Sequence, residues 1–445
     1  FASLANNLAV TPDITGRRDI FVRDLTAGTT TLASVNSAGT GAGSDDSSLP
    51  AISVDGRHVA FVSLAADLVA NQTLSRLRGG DTLLLRSGDH GEVTISANNT
   101  ELITIAGEPG ANAQLARLSV DGSKWLISGL TISGSFAKKP YSGTMVGLGE
   151  QSPSSDLTVQ NCFIYSALSH ETWTAKEWMG AYSGITLGGR GTKLTARNNY
   201  ILNTRFGINI CSNDSLVEGN VVSEYSADAL RMTRDGGTAR CNVFKNAYVS
   251  DKDGDKNHDD LIQAFLYNKG TGTISNFTVT DNILIGNEDP KQPFAHVPQA
   301  IGMFDGPLIN FKVSGNVIRT AHWHGVTLAT AEGCTVTDNV CFNSGDGPKP
   351  WVRVTSPKTK TADSTPNVVK NNFAHEYQLP GVDATNQAGN AMVTADIYAT
   401  RLNQLRAKID KEFGRYHPVA GFARLGTEKG KGDEKPSALP KPKKR

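Results

Sequence analysis

The sequence predicts an all-β protein whose central part is a solenoid, in which each coil repeats the strands of the coil before it. The first observation is a set of six apolar segments of one pattern, whose starts are 23, 22, 32, 39 and 25 residues apart. The segments are Gly184–Leu187, Gly207–Ile210, Ala229–Met232, Leu261–Ala264, Ala300–Met303 and Gly325–Leu328. A nearly fixed period interrupted by insertions of loop size is typical of solenoids.

The second observation is the alternation within each segment, which predicts β-strands. One side of the strands carries aliphatic residues that we expect to stack in a buried column: Ile185, Ile208, Leu230, Ile262, Ile301 and Val326. The opposite side would face outward and carries Thr186, Asn209, Arg231, Gln263, Gly302 and Thr327. Neighbouring coils stack about 4.8 Å apart, so the outward residues should form a continuous stripe.

The third observation is a series of asparagines in a common setting, namely Asn161, Asn198, Asn220, Asn242, Asn282, Asn316, Asn339 and Asn371. Asn tolerates the left-handed conformation and bonds to nearby backbone, so we expect one stacked Asn at a turn of each coil. Strands joined by an Asn turn, with about 22 residues per coil, resemble the right-handed parallel β-helix of pectate-lyase-like proteins. The resemblance implies one such helix within residues 73–393.

The segments on either side of the predicted β-helix differ from it. In residues 1–72, FASLANNLAV at Phe1 returns 60 residues later as FVSLAADLVA at Phe61. The strand–turn–strand sequences between them resemble one blade of the TolB-type propeller family, and we assign no function to this fragment. Residues 394–414 predict a helix that either seals the last coil or self-associates, because their apolar side chains have helical spacing. Residues 415–445 are rich in Lys, Gly and Pro and predict a flexible basic tail.

Composition argues against several classes of function. The 445 residues carry a formal net charge of +1, which gives no support for a nucleic-acid partner. No apolar run reaches the roughly 18 residues of a membrane span. Five cysteines show no metal-binding spacing, and their strand positions favour buried thiols over disulfides. The chain begins with Phe1, so we expect either a missing leader or a fragment.

The aligned segments also predict a polar stripe on one face of the solenoid. Side chains that precede the segments or point outward from them should line it: Arg205, Asp228, Arg231, His258, Asp259, Asp260, Gln263, His322 and His324. Insertions at 247–258 and 285–299 would form walls beside this stripe. A polar stripe walled by loops suits a linear polysaccharide. Trp323 at its border would either stack on a sugar ring or pack under a loop.

An acidic run at Asp251–Asp260 resembles a calcium loop in composition, and Gly254 permits a turn within it. The run lacks the bidentate Glu at EF-hand spacing, so that motif is not matched. The expected Ca²⁺ ligands are Asp228, from the neighbouring coil, and Asp251, Asp253 and Asp259. The alternative is a solvated acidic loop without a metal ion. His322 and His324 have no clear third partner, so they predict no zinc site.

A more specific resemblance is carried by Asn257, His258, Asp259, Asp260, Gln263, Asp305, His322 and His324. In the runs NHDDLIQ, FDG and HWHG, these residues resemble a group of bacterial right-handed β-helix proteins and, more remotely, β-helix polysaccharide lyases. In such lyases a basic residue abstracts the C5 proton of a uronic acid, and calcium or arginine neutralises the carboxylate. Leu261 stands where the group's pattern has Gly, which would narrow the cleft.

The resemblance implies a secreted, cell-surface or virion-associated protein that cleaves an acidic polysaccharide by β-elimination. Arg231 with a bound cation would neutralise the carboxylate. Lys252 or His258 would be the base, and His324 or Tyr182 the acid. The expected catalytic residues are therefore Arg231, Lys252, His258, Asp260, His324 and Tyr182. The expected substrate-binding residues are Arg205, Asn209, Gln263, Asp305, His322 and Trp323.

Two other interpretations stay open from the sequence. Hydrolysis would use Asp228 and Asp260 as a pair of carboxylates. A non-catalytic carbohydrate binder, such as an adhesin or a tail-spike-like fibre, would use the helix at 394–413 to form homo-oligomers. Unsaturated products would indicate elimination, and new reducing ends without them would indicate hydrolysis.

Overall fold

The computed structural model describes residues 1–36, 40–53, 77–249, 259–265, 273–289, 297–343, 347–357 and 365–414, with a few shorter stretches between these ranges. The chain divides into two compact units. One unit comprises residues 1–78 with Val93–Ile95, and the other comprises Gly79–Glu92 and the chain from Ser96 onward. The stacked coils lie in the second unit.

Within the described residues, three long parallel sheets follow one another in the same order in every coil. Sheet A contains Glu92–Ile95, Arg117–Val120, Thr144–Leu148, Ser183–Leu187, Ile208–Ile210, Leu230–Met232, Asp260–Ala264, Gln299–Met303, His324–Leu328, Trp351–Val354 and Glu376–Gln378. Sheet B contains Thr82–Leu85, Asn98–Gly107, Ser123–Ser128, Ser154–Gln160, Gly191–Thr192, Thr195–Arg197, Leu216–Glu218, Thr238–Arg240, Thr278–Thr280, Lys312–Ser314, Thr335–Thr337 and Val368–Lys370. Sheet C contains Gly88–Asp89, Ala113–Leu115, Thr131–Ile132, Phe163–Tyr165, Tyr200–Thr204, Val221–Tyr225, Val243–Ala247, Ile283–Ile285, Val317–Arg319, Val340–Phe342, Phe373–Ala374 and Ala391–Met392. Strands pair in parallel with their equivalents one coil later, which confirms the predicted parallel β-helix.

Sheet A has the register that the six aligned segments predict. The direct partners in successive coils are the fully buried Ile185, Ile208, Leu230, Ile262, Ile301 and Val326. The outward residues pair in the same order, from Thr186 to Thr327. A shift of one residue would turn these aliphatic side chains to solvent, so the apolar pattern fixes the register.

A ladder of asparagine side chains runs along the turn between sheets B and C. Each side-chain nitrogen donates to the side-chain oxygen of the next member at 2.9–3.1 Å. The members are Asn199, Asn220, Asn242, Asn282, Asn316, Asn339, Asn372 and Asn390. The predicted stack of asparagines is therefore present, and its backbone and side-chain bonds tie every coil from Asn199 onward to the next.

The ladder differs from the prediction in its exact members. Asn198 and Asn371 are wrong by one residue, and the position expected at Asn161 belongs to Cys162, whose backbone N–H donates to the first ladder side chain at 3.1 Å. The left-handed conformation falls on the residue before the ladder position, with φ of 54° at Asn161, 50° at Asn198 and 58° at Asn371. A ladder Asn uses its amide to bond across coils, so the preceding small or polar residue makes the turn.

The predicted C-terminal helix spans Ala395–Phe413, and the side chain of Thr394 caps its first turn. It lies along the outer face of sheet C, because its buried residues share a cluster with side chains of that sheet. These buried residues are Tyr398, Leu402, Leu405, Ile409 and Phe413. The prediction that the helix seals the last coil is thus wrong. Self-association through this helix stays a prediction, and it would have to use the polar face.

The other described elements are short. Ala2–Ser3, Asp19–Asp24 and Thr29–Leu32 form an antiparallel sheet, and Ser47–Ile52 pairs with Val59–Ser63. The likeness of this part to a propeller blade stays a prediction. A small parallel sheet of Ile274–Ser275, Leu308–Ile309 and Ala331–Glu332, a helix at Ala175–Met179 and two 3₁₀ turns, Gly134–Phe136 and Ala384–Asn386, belong to the second unit.

Two absences concern the described part of the chain alone. No disulfide joins its cysteines, of which Cys211 is partly exposed and the others are buried. None of its helices is long and apolar enough to cross a membrane. The predicted tail at 415–445 lies outside the described residues.

Candidate functional site

The predicted polar stripe lies on the outer face of sheet A. Its central row consists of direct partners in successive coils: Asn209, Arg231, Gln263, Gly302 and Thr327. A second row lies at the start of the strands, where Asp260 is the partner of Gln299. Asp228 adjoins this row, because its Oδ1 accepts a hydrogen bond from the backbone N–H of Asp260 at 2.8 Å.

Arg231 is held in place by an ion pair and by aromatic rings. Its Nε donates to Oδ2 of Asp228, three residues earlier in the chain. Its guanidinium carbon lies 3.8 Å from the ring centroid of Phe206 and 5.6 Å from that of Phe265. The guanidinium of Arg205 lies 5.2 Å from the same Phe206 ring. Two cationic groups from neighbouring coils thus share one ring, which concentrates positive charge at this point of the face.

Asp228 serves as a structural partner of Arg231. Its side chain is 1% exposed, and both carboxylate oxygens already accept hydrogen bonds, one from Arg231 and one from the backbone of Asp260. A buried charge-assisted bond of this kind fixes the direction of the guanidinium. Asp228 therefore orients the cationic group.

Asp260 has a fully buried carboxyl group. Its exposure is 0%, and neither of its oxygens has a hydrogen-bond partner among the described residues. Burial raises its pKa well above the usual range, and the Asp228 and Asp259 carboxylates raise it further, against the opposing effect of Arg231. The raised pKa favours the protonated form of Asp260 over a wider pH range than for an ordinary carboxyl group.

The Asp260 carboxyl fills a gap that Gly302 leaves in the central row. A Cβ built on Gly302 would lie 2.2 Å from Oδ1 of Asp260 and 2.8 Å from Oε1 of Gln299. Any side chain at position 302 would therefore collide with these groups. Gln299 Oε1 is also buried without a partner among the described residues. A protonated Asp260 and this amide oxygen thus converge on one point, where an O–H donor and an acceptor suit each other.

His322, Trp323 and His324 form a second polar cluster on the same sheet. The Nδ1 of His324 lies 2.7 Å from Oγ1 of Thr327, and the backbone N–H of His324 donates to Nδ1 of His322 at 3.1 Å. The two imidazole rings stack with their centroids 5.2 Å apart. Trp323 is half-exposed beside them.

The predicted catalytic residues lie in different coils of sheet A, at different positions along the solenoid axis. Tyr182 precedes the strand two coils before Arg231, and His324 begins the strand three coils after it. These steps correspond to about 10 Å and about 14 Å. The Tyr182 ring also packs on Tyr141, with ring centroids 4.5 Å apart. Of the expected catalytic residues in the described part, Asp260 alone lies in the coil next to Arg231.

Part of the predicted site lies outside the described residues, namely Lys252, His258, Asp251 and Asp253, together with most of the predicted wall at 247–258 and part of the one at 285–299. Within the described part, no group of three or more His, Cys, Asp or Glu side chains is placed to hold a metal ion. Of the four expected calcium ligands, Asp228 and Asp259 are described, and the Asp228 oxygens accept hydrogen bonds from Arg231 and from the backbone of Asp260. The calcium site stays a prediction.

The predicted substrate-binding residues fall into two groups. Asn209 and Gln263 flank Arg231 in the central row, and Arg205 lies beside it over Phe206. Asp305 follows the strand Gln299–Met303 and is exposed, outside both rows. His322 and Trp323 belong to the more distant cluster.

The contact residues that were not predicted as part of the site include Phe206, Gln299, Phe265 and Trp351. Phe206 and Gln299 stand immediately before aligned segments, so their positions were a usable signal. Trp351 begins a strand outside the six-segment alignment, where it is the direct partner of His324; the register shifts by one residue before Val326 pairs with Val352.

Comparison with known proteins does not assign the chain to a protein family. No protein-family model matches the chain, and no curated protein matches it. Among solved structures, an alginate lyase from Paenibacillus sp. is 13% identical, with a TM-score of 0.40 over 72% of this chain and 95% of that one. The A-module of a mannuronan C-5 epimerase from Azotobacter vinelandii is 13% identical, with a TM-score of 0.41 over 73% and 93%. A tailspike protein of E. coli bacteriophage HK620, solved with a pentasaccharide, is 12% identical, with a TM-score of 0.43 over 84% and 70%.

Proposed function

We propose that the outer face of sheet A binds an acidic, uronate-containing polysaccharide, and that the protein cleaves it by β-elimination. The observation that carries the proposal is the pair of guanidinium groups, Arg205 and Arg231, around one aromatic ring in the middle of a polar row. A guanidinium presents a planar set of donors that matches a carboxylate. Asn209 and Gln263, one coil to either side of Arg231, supply neutral polar groups for sugar hydroxyls.

The raised pKa of Asp260 supports this assignment. Asp228 already neutralises part of the charge of Arg231, and an ionised Asp260 would neutralise more of it. The protonated form of Asp260, which burial favours, leaves the guanidinium groups with a positive potential toward a bound uronate. Asp260 thus acts on the substrate through Arg231, as a positioning residue rather than a catalytic one.

The reaction requires three events. A base removes the proton at C5 of the uronate, and the electron pair of that C–H bond forms a double bond between C4 and C5. The bond from C4 to the leaving oxygen breaks, and this oxygen takes up a proton. Arg231 and Arg205 would stabilise the negative charge that develops on the carboxylate as C5 loses its proton. We propose Lys252 or His258 as the base, since that segment leads directly into Asp259 and Asp260.

Binding without cleavage is the second candidate function, and one observation favours it. Asp228 and Asp260 are almost completely buried, and Asp228 has both oxygens engaged, so neither carboxyl group is presented to a substrate. The same observation argues against hydrolysis by this pair. Two further proposals stay separate. Calcium binding rests on the acidic composition of the 251–259 segment, and secretion or display at a cell or virion surface would follow from a polymeric substrate.

The test is a screen of alginate, pectate, glucuronan and glycosaminoglycans for unsaturated products by ultraviolet absorbance, alongside binding by affinity electrophoresis. Arg231→Lys keeps the charge beside Asp228 but loses the planar fork, and we expect it to lower the elimination rate about 100-fold. The matched control is Arg197→Lys, because Arg197 also pairs with a buried acid, Glu218, at 3.4 Å, but on sheet B. Equal losses in both variants would contradict the proposal, and binding without product would select the second candidate.

A further inference from the structure

Two stacked tryptophans from consecutive coils present an aromatic surface at one end of the polar stripe. The rings of Trp323 and Trp351 are nearly parallel, with an interplanar angle of 15° and centroids 6.3 Å apart. Trp323 is 52% exposed, although a side chain of this size normally buries most of its surface. An exposed tryptophan stacked on a second, partly buried one at a polar sheet face suggests a ligand that covers it.

The surroundings hold the Trp351 ring in a fixed position. Its Nε1 donates to Oγ1 of Thr327 at 3.2 Å, and the same oxygen lies 2.7 Å from Nδ1 of His324. The imidazole of His324 meets the Trp351 ring edge-on at 5.1 Å, and the Phe304 ring at 4.9 Å. A ring that is already ordered loses little conformational entropy on binding, which favours recognition by stacking.

The size and setting of this surface select the kind of ligand. Two rings among polar side chains are far smaller than the roughly 800 Å² per partner of a stable protein interface. A pyranose ring fits instead, because its face of C–H groups is flat and apolar while its hydroxyls point outward to polar neighbours. Thr327 also lies in the central row that contains Arg231, three coils away or about 14 Å along the axis.

We propose that Trp323 and Trp351 form a sugar-stacking subsite that binds the apolar face of a pyranose ring, whether or not the sugar is charged. The position of this subsite relative to Arg231 rests on the proposed function, since one polysaccharide chain running along sheet A would contact both. The subsite gives the bound chain a fixed direction, parallel to the solenoid axis. It also makes binding depend on chain length, because short oligosaccharides cannot reach both places.

The experiment separates stacking from charge by using one polysaccharide in two forms. The probe is the acidic polymer that the wild type retains most strongly in the screen, together with the same polymer after chemical reduction of its carboxyl groups to neutral hydroxymethyl groups. Trp323→Ala should weaken retention of both forms about tenfold, whereas Trp323→Phe should restore most of it. Arg231→Lys should weaken retention of the acidic form alone. The stability control is Leu84→Ala, which removes a 51% exposed apolar side chain from sheet B.

Each outcome decides between the two proposals. Retention of both forms by Trp323→Ala at wild-type strength overturns the stacking subsite and leaves the proposed function intact. If Trp323→Ala loses retention of both polymer forms and Arg231→Lys retains the acidic form as the wild type does, the subsite is supported and uronate recognition at Arg231 is contradicted. Absence of retention for every polymer in the wild type overturns both.

Discussion

Replacing Asn282 with alanine should lower the free energy of unfolding by several kcal/mol, although this residue is distant from any functional group of sheet A. The side chain is fully buried in the middle of the ladder. Its Nδ2 donates to the carbonyl of Ala239 at 3.0 Å and to Oδ1 of Asn316 at 2.9 Å. Its Oδ1 accepts from the backbone N–H of Asn242 at 3.0 Å and from that residue's Nδ2 at 2.9 Å.

The size of the effect follows from the groups that lose their partners. Asn242 Nδ2 keeps its bond to the Val217 carbonyl, and Asn316 Oδ1 keeps the backbone N–H of residue 282. The backbone N–H of Asn242 and the carbonyl of Ala239 have no replacement within the ladder. A buried polar group left without a partner costs about 1–3 kcal/mol, so the expected loss is about 2–6 kcal/mol.

The matched control is Asn390→Ala at the end of the ladder. Asn390 also makes four side-chain bonds, two from its nitrogen and two to its oxygen, but it is partly exposed. Water can take over its contacts, so its loss should be well under half that of Asn282. Urea titration followed by intrinsic fluorescence measures both variants, with comparison of midpoints and slopes. Equal losses, or an Asn282 variant as stable as the wild type, would refute the assignment of stability to the buried ladder.

Three further predictions concern the core, the buried acid and the metal. Ile262→Ala should lower the free energy of unfolding by about 2–5 kcal/mol, because Ile262 is 0% exposed between Leu230 and Ile301. Calorimetry or denaturant titration measures this loss, and a value below about 1 kcal/mol, roughly the range for Ile→Val, would contradict the packing. Asp260 has a raised folded-state pKa, so its contribution to stability is complete below the unfolded value near 3.9 and is lost as pH rises through the folded value. Asp260→Asn cannot ionise at this position, so the variant should not lose stability in this way. The prediction would be contradicted if the free energy of unfolding of the wild type did not fall relative to that of the variant as pH rises. If Asp228, Asp251, Asp253 and Asp259 bind Ca²⁺, excess chelator should lower the melting temperature or the activity, and no change in either would end that proposal.

The sequence predicted the architecture well where one residue type has one physical role. Ile185, Ile208 and Leu230 can satisfy their preference for burial in a single register, so the alignment of strands in sheet A is confirmed residue by residue. The ladder was harder, because Asn198 stands beside Asn199 and Asn371 beside Asn372. Either member of such a doublet tolerates the left-handed turn and offers an amide, so the sequence alone cannot assign the two roles.

The sequence predicted which residues share the outer face of sheet A. Arg231 and Gln263 are direct partners on that face, as strand alternation predicts, whereas Asp260 at the start of its strand is fully buried. The alignment carries no information on side-chain partners, so the hydrogen bonds that the Asp228 oxygens accept from Arg231 and a backbone N–H could not be predicted from it. The alignment also treats neighbouring and distant coils alike, which is why His324 was grouped with Arg231 despite a separation of three coils.

The helix Ala395–Phe413 affects the order in which the coils of the solenoid can unfold. In a bare solenoid each coil touches only its two neighbours, so fraying can begin at an end and advance one coil at a time. Here Tyr398 stacks on Phe342 with ring centroids 4.8 Å apart, near the C-terminal end of sheet C.

Contacts near the other end of the helix reach coils several steps earlier. Lys408 donates to Asp281 at 2.9 Å, and the guanidinium of Arg240 donates to Glu412 at 2.5 Å. A coil near the C-terminal end therefore cannot unfold without disturbing helix contacts that reach the middle of the solenoid. The coils that the helix crosses should unfold together, so we expect the C-terminal half of the solenoid to unfold cooperatively and not coil by coil from its end.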